Sequence, residues 1–395
     1  MKTIAESAKE MLPRLIEMRR DFHRNPELSF KEYRTTRLIA ERLQNLGIEI
    51  VPWDGETGLV GLLHGVEPGP VIGLRADIDA LPIQEQNDCE YRSTVDGVMH
   101  ACGHDAHATW LLGAAELLAA RRNELKGTVK FIFQPGEELA AGAKVMMEKK
   151  VLENPPVDVI FGAHNTPNLP AGQVGLKDGP LMANSINIAV TIKGKGGHGS
   201  APHKTHDPIM AAAAIIQGLQ TIVSRRVDPL EPCVISFGSI HGGQANNVIP
   251  EVVELTGTVR TFQPALTDEL AVMMRELIDH IAIAHGVETE FVFRQVIPAV
   301  INTSDLAAWA RAPLTEIFGE EGIVRPQPVM GAEDFAFFLE RVPGAFLFIG
   351  VGNTEKGIVN QWHNAKFDVD ESSLSLGAGG LAQIAYDWLK RGAAR

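Results

Sequence analysis

The chain has 395 residues, 45% hydrophobic and 22% charged, an ordinary globular balance but more chain than one core accommodates, so two domains are expected. A net charge of −13 argues against nucleic acid or an anionic membrane as partner; an anionic small substrate stays possible, because a local arginine or metal overrides the overall field. The three cysteines, Cys89, Cys102 and Cys233, form no disulfide framework and suit a reducing compartment.

Residues 4–24 and 30–46 carry helical periodicity. The first stretch is charged and amphipathic, with no secretory pattern, and no apolar run approaches a membrane span, so a cytoplasmic enzyme is the expectation. Apolar runs at 58–64 and 71–76, bounded by Gly or Pro, read as strands. Asp105 is placed to cap a helix over about 106–122. A strand at 128–133, a helix near 141–150 and a strand at 157–163 follow, and this alternation predicts an α/β domain with a largely parallel sheet.

The pattern changes at Ser185, where Ile186, Ile188, Val190 and Ile192 alternate with Asn187, Ala189, Thr191 and Lys193 as in a half-exposed strand. A helix at 207–226, strands at 233–240 and 251–262, a helix at 266–285 and a strand at 287–296 complete a β-α-β-β-α-β order, that of a ferredoxin-like unit. After about residue 299 the α/β character resumes, with a strand at Ala345–Ile349 and a last helix near 372–391. The predicted organisation is a small domain, 185–298, inserted into a larger one built from 1–184 and 299–395.

The densest chemistry lies in His100-Ala101-Cys102-Gly103-His104-Asp105-Ala106-His107. Three patches echo it: Gln134-Pro135-Gly136-Glu137-Glu138, Gly162-Ala163-His164-Asn165 and Gln361-Trp362-His363-Asn364. A histidine such as His164 or His363 alone would more often serve packing, but the 100–107 cluster has little packing rationale. The candidate metal ligands are Cys102, His104, Glu138, His164 and His363. Five ligands exceed the need of one tetrahedral ion, so two ions sharing a ligand is the natural count. A thiolate bridges readily, and sulfur with imidazoles favours zinc, manganese, cobalt or nickel over magnesium or calcium. His100 and His107 stay open between contacting substrate and supporting a ligand from behind. Of the adjacent carboxylates, one can ligate while the other takes a proton from metal-activated water. Asp77 ends a strand and either orients a ligand or caps the strand. A purely structural zinc domain is disfavoured, because such sites keep their ligands close in sequence. A metal-dependent binding protein has no use for a poised general base.

Arg75-Ala76-Asp77-Ile78-Asp79-Ala80-Leu81-Pro82, the 100–107 run, Phe133-Gln134-Pro135-Gly136-Glu137-Glu138 and Met330-Gly331-Ala332-Glu333-Asp334-Phe335 together resemble the M20 metallopeptidases. The resemblance is nearest to the amidohydrolase branch of hippurate hydrolases, N-acyl-L-amino acid amidohydrolases and auxin-conjugate hydrolases, and spans nearly the whole chain. It implies a two-domain α/β protein: a metallopeptidase-like catalytic domain with two divalent transition metal ions, and an inserted ferredoxin-like lid through which a homodimer or higher homo-oligomer forms. Carried over residue by residue, Cys102, His104, Glu138, His164 and His363 are the ligands, Cys102 the bridge, Glu137 the general base, and Asp77 the residue that orients the cluster. Other branches have a histidine two residues before that aspartate; here Arg75 stands there, and the cysteine motif supplies the replacement ligation. In Gly196-Gly197-His198-Gly199-Ser200, His198 resembles the histidine that reaches a neighbouring active site and steadies an oxyanion. Asn247 and Arg260 resemble lid positions that hold the substrate carboxylate. Asn165 stands where an apolar residue or Met is more usual, which suggests an altered pocket wall. The implied reaction is metal-dependent hydrolysis of the amide bond of N-acyl amino acids, hippurate-like or N-acetyl, to a carboxylic acid and a free amino acid. A dipeptidase or aminopeptidase and an N-carbamoyl amino acid hydrolase are the alternatives on this scaffold.

Overall fold

The structure, a computed structural model, describes residues 2–391. Its elements run α1 (Ile4–Arg24), α2 (Tyr33–Asn45), β1 (Glu49–Val51), β2 (Leu59–His64), β3 (Glu67–Asp77), α3 (His104–Ala119), β4 (Lys126–Gln134), α4 (Gly142–Glu148), β5 (Val159–Pro170), β6 (Val174–Gly175) and β7 (Gly179–Met182). They continue as β8 (Ser185–Lys193), β9 (Gly197–His198), α5 (Pro208–Arg225), β10 (Cys233–Gly242), β11 (Val248–Ile249), β12 (Val252–Thr261), α6 (Pro264–His285) and β13 (Glu288–Ile297). The last are β14 (Val300–Asn302), α7 (Ser304–Phe318), β15 (Ile323–Val324), α8 (Ala336–Leu339), β16 (Gly344–Gly352) and α9 (Ser373–Arg391). Among the described residues, no helix is long and apolar enough to cross a membrane. The chain divides into two compact units.

The first unit takes the residues up to Gly179, Ile301–Gln327 and those from Asp334 on. Its eight-stranded sheet has the order β1-β2-β4-β3-β5-β16-β6-β15. The sheet is mixed rather than largely parallel. The central run β4-β3-β5-β16 is parallel, whereas β1, β2 and β4 pair antiparallel, as do β16 and β6. β16 is buried at every position, as a strand covered on both faces must be. Helices α1, α3 and α9 pack on one another. α3 is buried on nearly every side, which explains its weak amphipathic signal. A Cβ at Gly113 would press on Ala378, and one at Gly377 would collide with the Trp110 indole, so these glycines let α3 and α9 approach.

Two expectations fail here. Asp105 does not cap α3. The helix starts earlier, at His104, after Gly103 in the left-handed region (φ 83). The Asp105 carboxylate turns instead to Arg19, at 2.7 Å, and His23, at 2.8 Å, because a buried guanidinium holds a carboxylate more strongly than neutral N–H groups do. β5 also runs past the predicted end at 163, so His164 lies within a strand, paired opposite Phe348. Helix α7 had no counterpart in the predicted elements.

The second unit takes Pro180–Val300 and Pro328–Glu333. Its sheet is antiparallel throughout, order β10-β12-β8-β13, which is the ferredoxin-like arrangement the β-α-β-β-α-β order predicted. Ile186, Ile188, Val190 and Ile192 form a core with Ala211, Ile215 and Leu219 of α5 and Leu270, Met274 and Ile278 of α6. A short β9–β11 pairing places Val248 opposite His198.

Candidate metal centre

Within the first unit, five segments of chain converge. Asp77 closes β3. Cys102 and His104 sit at the start of α3. Glu137 and Glu138 open a short 3-10 turn after Gly136, whose φ of 64 suits glycine. His164 projects from β5. His363, before α9, has a φ of 63, and its N–H donates to the Ala101 carbonyl at 2.8 Å.

One ligand atom from each of Cys102, His104 and His164 falls within 4.8 Å of the others, and the same holds for Cys102, Glu138 and His363. Cys102 belongs to both sets. Its Sγ lies 3.5 Å from His164 Nε2, and His363 Nε2 lies 3.4 Å from Glu138 Oε2. Glu137 joins His104 and Glu138 in a further set of the same size.

The imidazoles are turned so that one nitrogen is anchored and the other faces the cluster. His104 Nδ1 donates to Asp79 Oδ1 at 3.0 Å. His164 Nδ1 donates to the Asn165 carbonyl at 2.7 Å. That leaves Nε2 as the lone-pair nitrogen in both, the arrangement typical of metal-bound histidine. His104 Nε2 and Glu138 Oε1 are buried without a hydrogen-bond partner. Buried polar atoms are rarely left so, and these point to the same place, so the residues fit a pair of divalent cations.

The electrostatics agree. Burial pushes the Cys102 thiol well above its usual range, and Glu138, Glu137 and Asp77 add to the effect. Burial opposes a charge on His104, but Asp77, Asp79 and Glu138 outweigh it and raise its pKa to about 10. The field calls for positive charge, which a bound cation supplies more strongly than a proton.

Around the ligands, the two aspartates of the β3 end divide their work. Asp77 Oδ1 accepts from His107 Nδ1 at 2.5 Å, and Asp77 Oδ2 accepts from Arg75 Nη1 at 2.9 Å. Burial opposes the Asp77 charge, yet His104, Arg75 and His107 hold its pKa well below the ordinary value. Asp79 was not singled out from the sequence, although it lies two residues on along the same strand direction. Its Oδ1 anchors His104, and its Oδ2 accepts from the Glu138 N–H at 3.1 Å and the Ser29 hydroxyl at 2.6 Å. His107 belongs with Asp77 and His104 to another set of this size, but both its ring nitrogens have hydrogen-bond partners, Nδ1 with Asp77 and Nε2 with Asn165. His100 is fully buried with neither nitrogen hydrogen-bonded, and burial brings its pKa down to about 4. Arg75 also donates to Gln134 and Asp334, each at 2.9 Å.

Asn165 does not form a pocket wall. Its side chain is wholly buried and bonds the Cys102 carbonyl, His107 Nε2 and Trp362 Nε1. An amide with three such partners is drawn into the scaffold rather than toward a ligand.

In the second unit, His198 is exposed, and its Nδ1 accepts from the Ser200 N–H at 3.1 Å. Asn247 is exposed nearby, its carbonyl accepting from the Gly199 N–H at 2.7 Å. Arg260 lies half-buried on β12, with Nη1 donating to the Thr258 hydroxyl and to the Val259 carbonyl at 3.1 Å. Burial lowers its pKa.

Two candidate ligand sets that share the Cys102 sulfur, with the Glu137 carboxylate beside them, suit the class of dinuclear metal-dependent hydrolases. The sequence profile of peptidase family M20/M25/M40 matches residues 73–387. The chain belongs to that family. It is 44% identical to N-acetylcysteine deacetylase of Bacillus subtilis (strain 168), over 94% of this chain and 96% of that one. It is 40% identical to thermostable carboxypeptidase 2 of Saccharolobus solfataricus, over 98% of each. A solved dinuclear metal-binding peptidase of the M20 family from Bacillus subtilis superposes with a TM-score of 0.85 at 41% identity, covering 96% of this chain and 99% of that one.

Proposed function

We propose that the enzyme hydrolyses the amide bond of N-acyl amino acids, hippurate-like or N-acetyl, releasing a carboxylic acid and a free amino acid. The observation that carries this reading is Cys102 common to two ligand sets with Glu137 alongside. The similarity to a deacetylase of an acylated amino acid supports the substrate class.

Cys102, His104 and His164 would hold one ion, and Cys102, Glu138 and His363 the other. When bound, two divalent ions supply Lewis acidity, polarising the amide carbonyl and making water a nucleophile at neutral pH. Glu137 takes the proton from the attacking water and returns it to the leaving nitrogen. Asp79 and the Asn165 carbonyl keep His104 and His164 presenting Nε2. Asp77 steadies the cluster through His107. Because His198 Nδ1 accepts from Ser200, the neutral ring carries its proton on Nε2, and that N–H is the donor for an oxyanion in a neighbouring active site. Arg260 and Asn247 take the substrate carboxylate, for which a guanidinium fork is suited. A cytoplasmic homodimer formed through the second unit is part of this proposal.

A peptidase acting on unblocked peptides is the second reading, favoured by the similarity to a carboxypeptidase; Arg260 would serve a peptide α-carboxylate equally. The test is amine release from chelator-stripped protein restored with zinc, manganese, cobalt or nickel, across N-acetyl, N-benzoyl and N-carbamoyl amino acids and free dipeptides. Metal-dependent cleavage of the acyl amino acids is expected. Turnover confined to dipeptides would replace the proposal with the peptidase reading, and turnover confined to carbamoyl substrates with a ureido hydrolase.

A further inference from the structure

Asn165 touches more of the metal-centre framework than its place as a ligand's neighbour requires. Its backbone N–H donates to His107 Nε2 at 2.9 Å, and its backbone carbonyl accepts from His164 Nδ1 at 2.7 Å. Its side-chain Nδ2 donates to the Cys102 carbonyl at 2.5 Å and lies 2.8 Å from His107 Nε2. Its Oδ1 accepts from the indole Nε1 of Trp362 at 3.0 Å. All of its polar groups are thus committed within the shell around the ligands, with no exposure to solvent.

These partners lie on three separate stretches of chain. Cys102 is the ligand common to both sets, His164 belongs to one set only, and Trp362 immediately precedes His363 of the other. Gly103 is shaped to this contact: a Cβ there would collide with Asn165 Nδ2, and its φ of 83 favours glycine. Trp362 also packs edge-on against the His164 ring at 5.0 Å.

We infer that Asn165 is a positioning residue that sets the spacing between the two cation positions, by tying the backbone of the shared ligand Cys102 to His164 on one side and to the Trp362–His363 segment on the other. The inference rests on the dinuclear reading above. Hydrogen-bond partners behind metal ligands are commonly worth about 10–100-fold in metal affinity. Asn165 stands behind both positions and Trp362 behind one.

The test is calorimetric titration of chelator-stripped protein with cobalt(II), with the thiolate-to-cobalt absorption recorded in parallel. It compares wild type, Asn165→Leu, Asn165→Asp and Trp362→Phe. Asn165→Leu removes donors and acceptor and is expected to weaken both ions about 10–100-fold and to alter the thiolate band. Asn165→Asp keeps the acceptor for Trp362 but loses the amide donors, so it is expected to behave like Asn165→Leu at the Cys102–His164 side. Trp362→Phe keeps the ring but not the indole N–H, and is expected to weaken one ion about tenfold while leaving the band in place. Circular dichroism establishes that each variant is folded. Folded variants that bind two ions as wild type does overturn the inference alone. If Asn165→Leu does not fold, Trp362→Phe decides, and an unchanged pair of affinities overturns the inference. A wild-type protein that takes up fewer than two ions overturns the dinuclear reading and this inference with it.

Discussion

At the scale of single residues, Glu137 and Cys102 separate chemistry from assembly. Glu137 lies beside the ligand sets, but neither set around Cys102 needs it. Replacing it with Gln keeps shape and removes the base. Hydrolysis is expected to fall about 10²–10⁴-fold while two ions per chain remain by elemental analysis; unchanged turnover would remove Glu137 from the role. The ligand candidates were legible because Cys, His and Glu cluster in short motifs. Asp79 and Asn165 were not, since their importance comes from partners far along the chain: Ser29 and His104 for one, Cys102 and Trp362 for the other. Asp79 lies just past the end of β3, where aspartate is common, and Asn165 inside β5 was noticed only as an unusual neighbour of His164. Asp105 misled for a related reason. A helix-start aspartate suggests a cap, and only the fold reveals Arg19 waiting for it.

Between elements, buried charge fastens helices to the loops that carry the site. Arg19 of α1 is fully buried and pairs with Asp105 of α3 at 2.7 Å and with Asp368, ahead of α9, at 2.9 Å. Arg19→Met removes the guanidinium from both carboxylates and leaves Asp105 with His23 and Asp368 with Tyr91, and a loss of about 3–5 kcal/mol is expected in urea unfolding. A loss below 1 kcal/mol would mean that water reaches the pair. Asp370 ties the Asn353–Lys356 turn to the start of α9. Burial opposes its charge, but hydrogen bonds from Asn353, Ser372 and Lys356 prevail and hold its pKa at about 2. A carboxyl whose folded pKa is depressed stabilises the fold above its unfolded pKa, and that stability is lost as pH falls through the folded one. Wild type should therefore exceed Asp370→Asn by roughly 1–2 kcal/mol at neutral pH. The difference should close between about pH 4 and pH 2; a gap that stayed constant over this range would sink the assignment. The longer elements were largely readable from periodicity, α3 excepted in its start, β5 in its end and α7 altogether, whereas the short pieces β1, β6, β7, β9, β11, β14, β15 and α8 were not. The mixed pairing of the large sheet was not readable, because strand direction depends on which strands become neighbours.

On the scale of the whole molecule, every candidate ligand lies in the first unit, and the second unit has its own sheet and core. Metal should therefore stabilise one unit selectively. Two ions, each present at a hundred times its dissociation constant, add about 5 kcal/mol, which in a unit of this size corresponds to about 10–20 °C. Scanning calorimetry with and without chelator should show one transition moving down by that amount while the other stays. Equal movement of both transitions would show that the units do not unfold separately.

The strand order of the large sheet bears on how the protein is made. β16 sits between β5 and β6, yet it is translated after the entire second unit. At ribosomal speeds of about 5–20 residues per second, the interval between β5 and its central neighbour is roughly 10–35 s. Throughout it, the edge of β5 that carries His164 is an open template of the kind that invites mispairing. The second unit, built wholly from residues translated in between, is expected to fold against its own core during that wait. Nascent chains halted before residue 344 should thus be the aggregation-prone, chaperone-bound species, and cells short of trigger factor or its equivalents should lose yield at that stage.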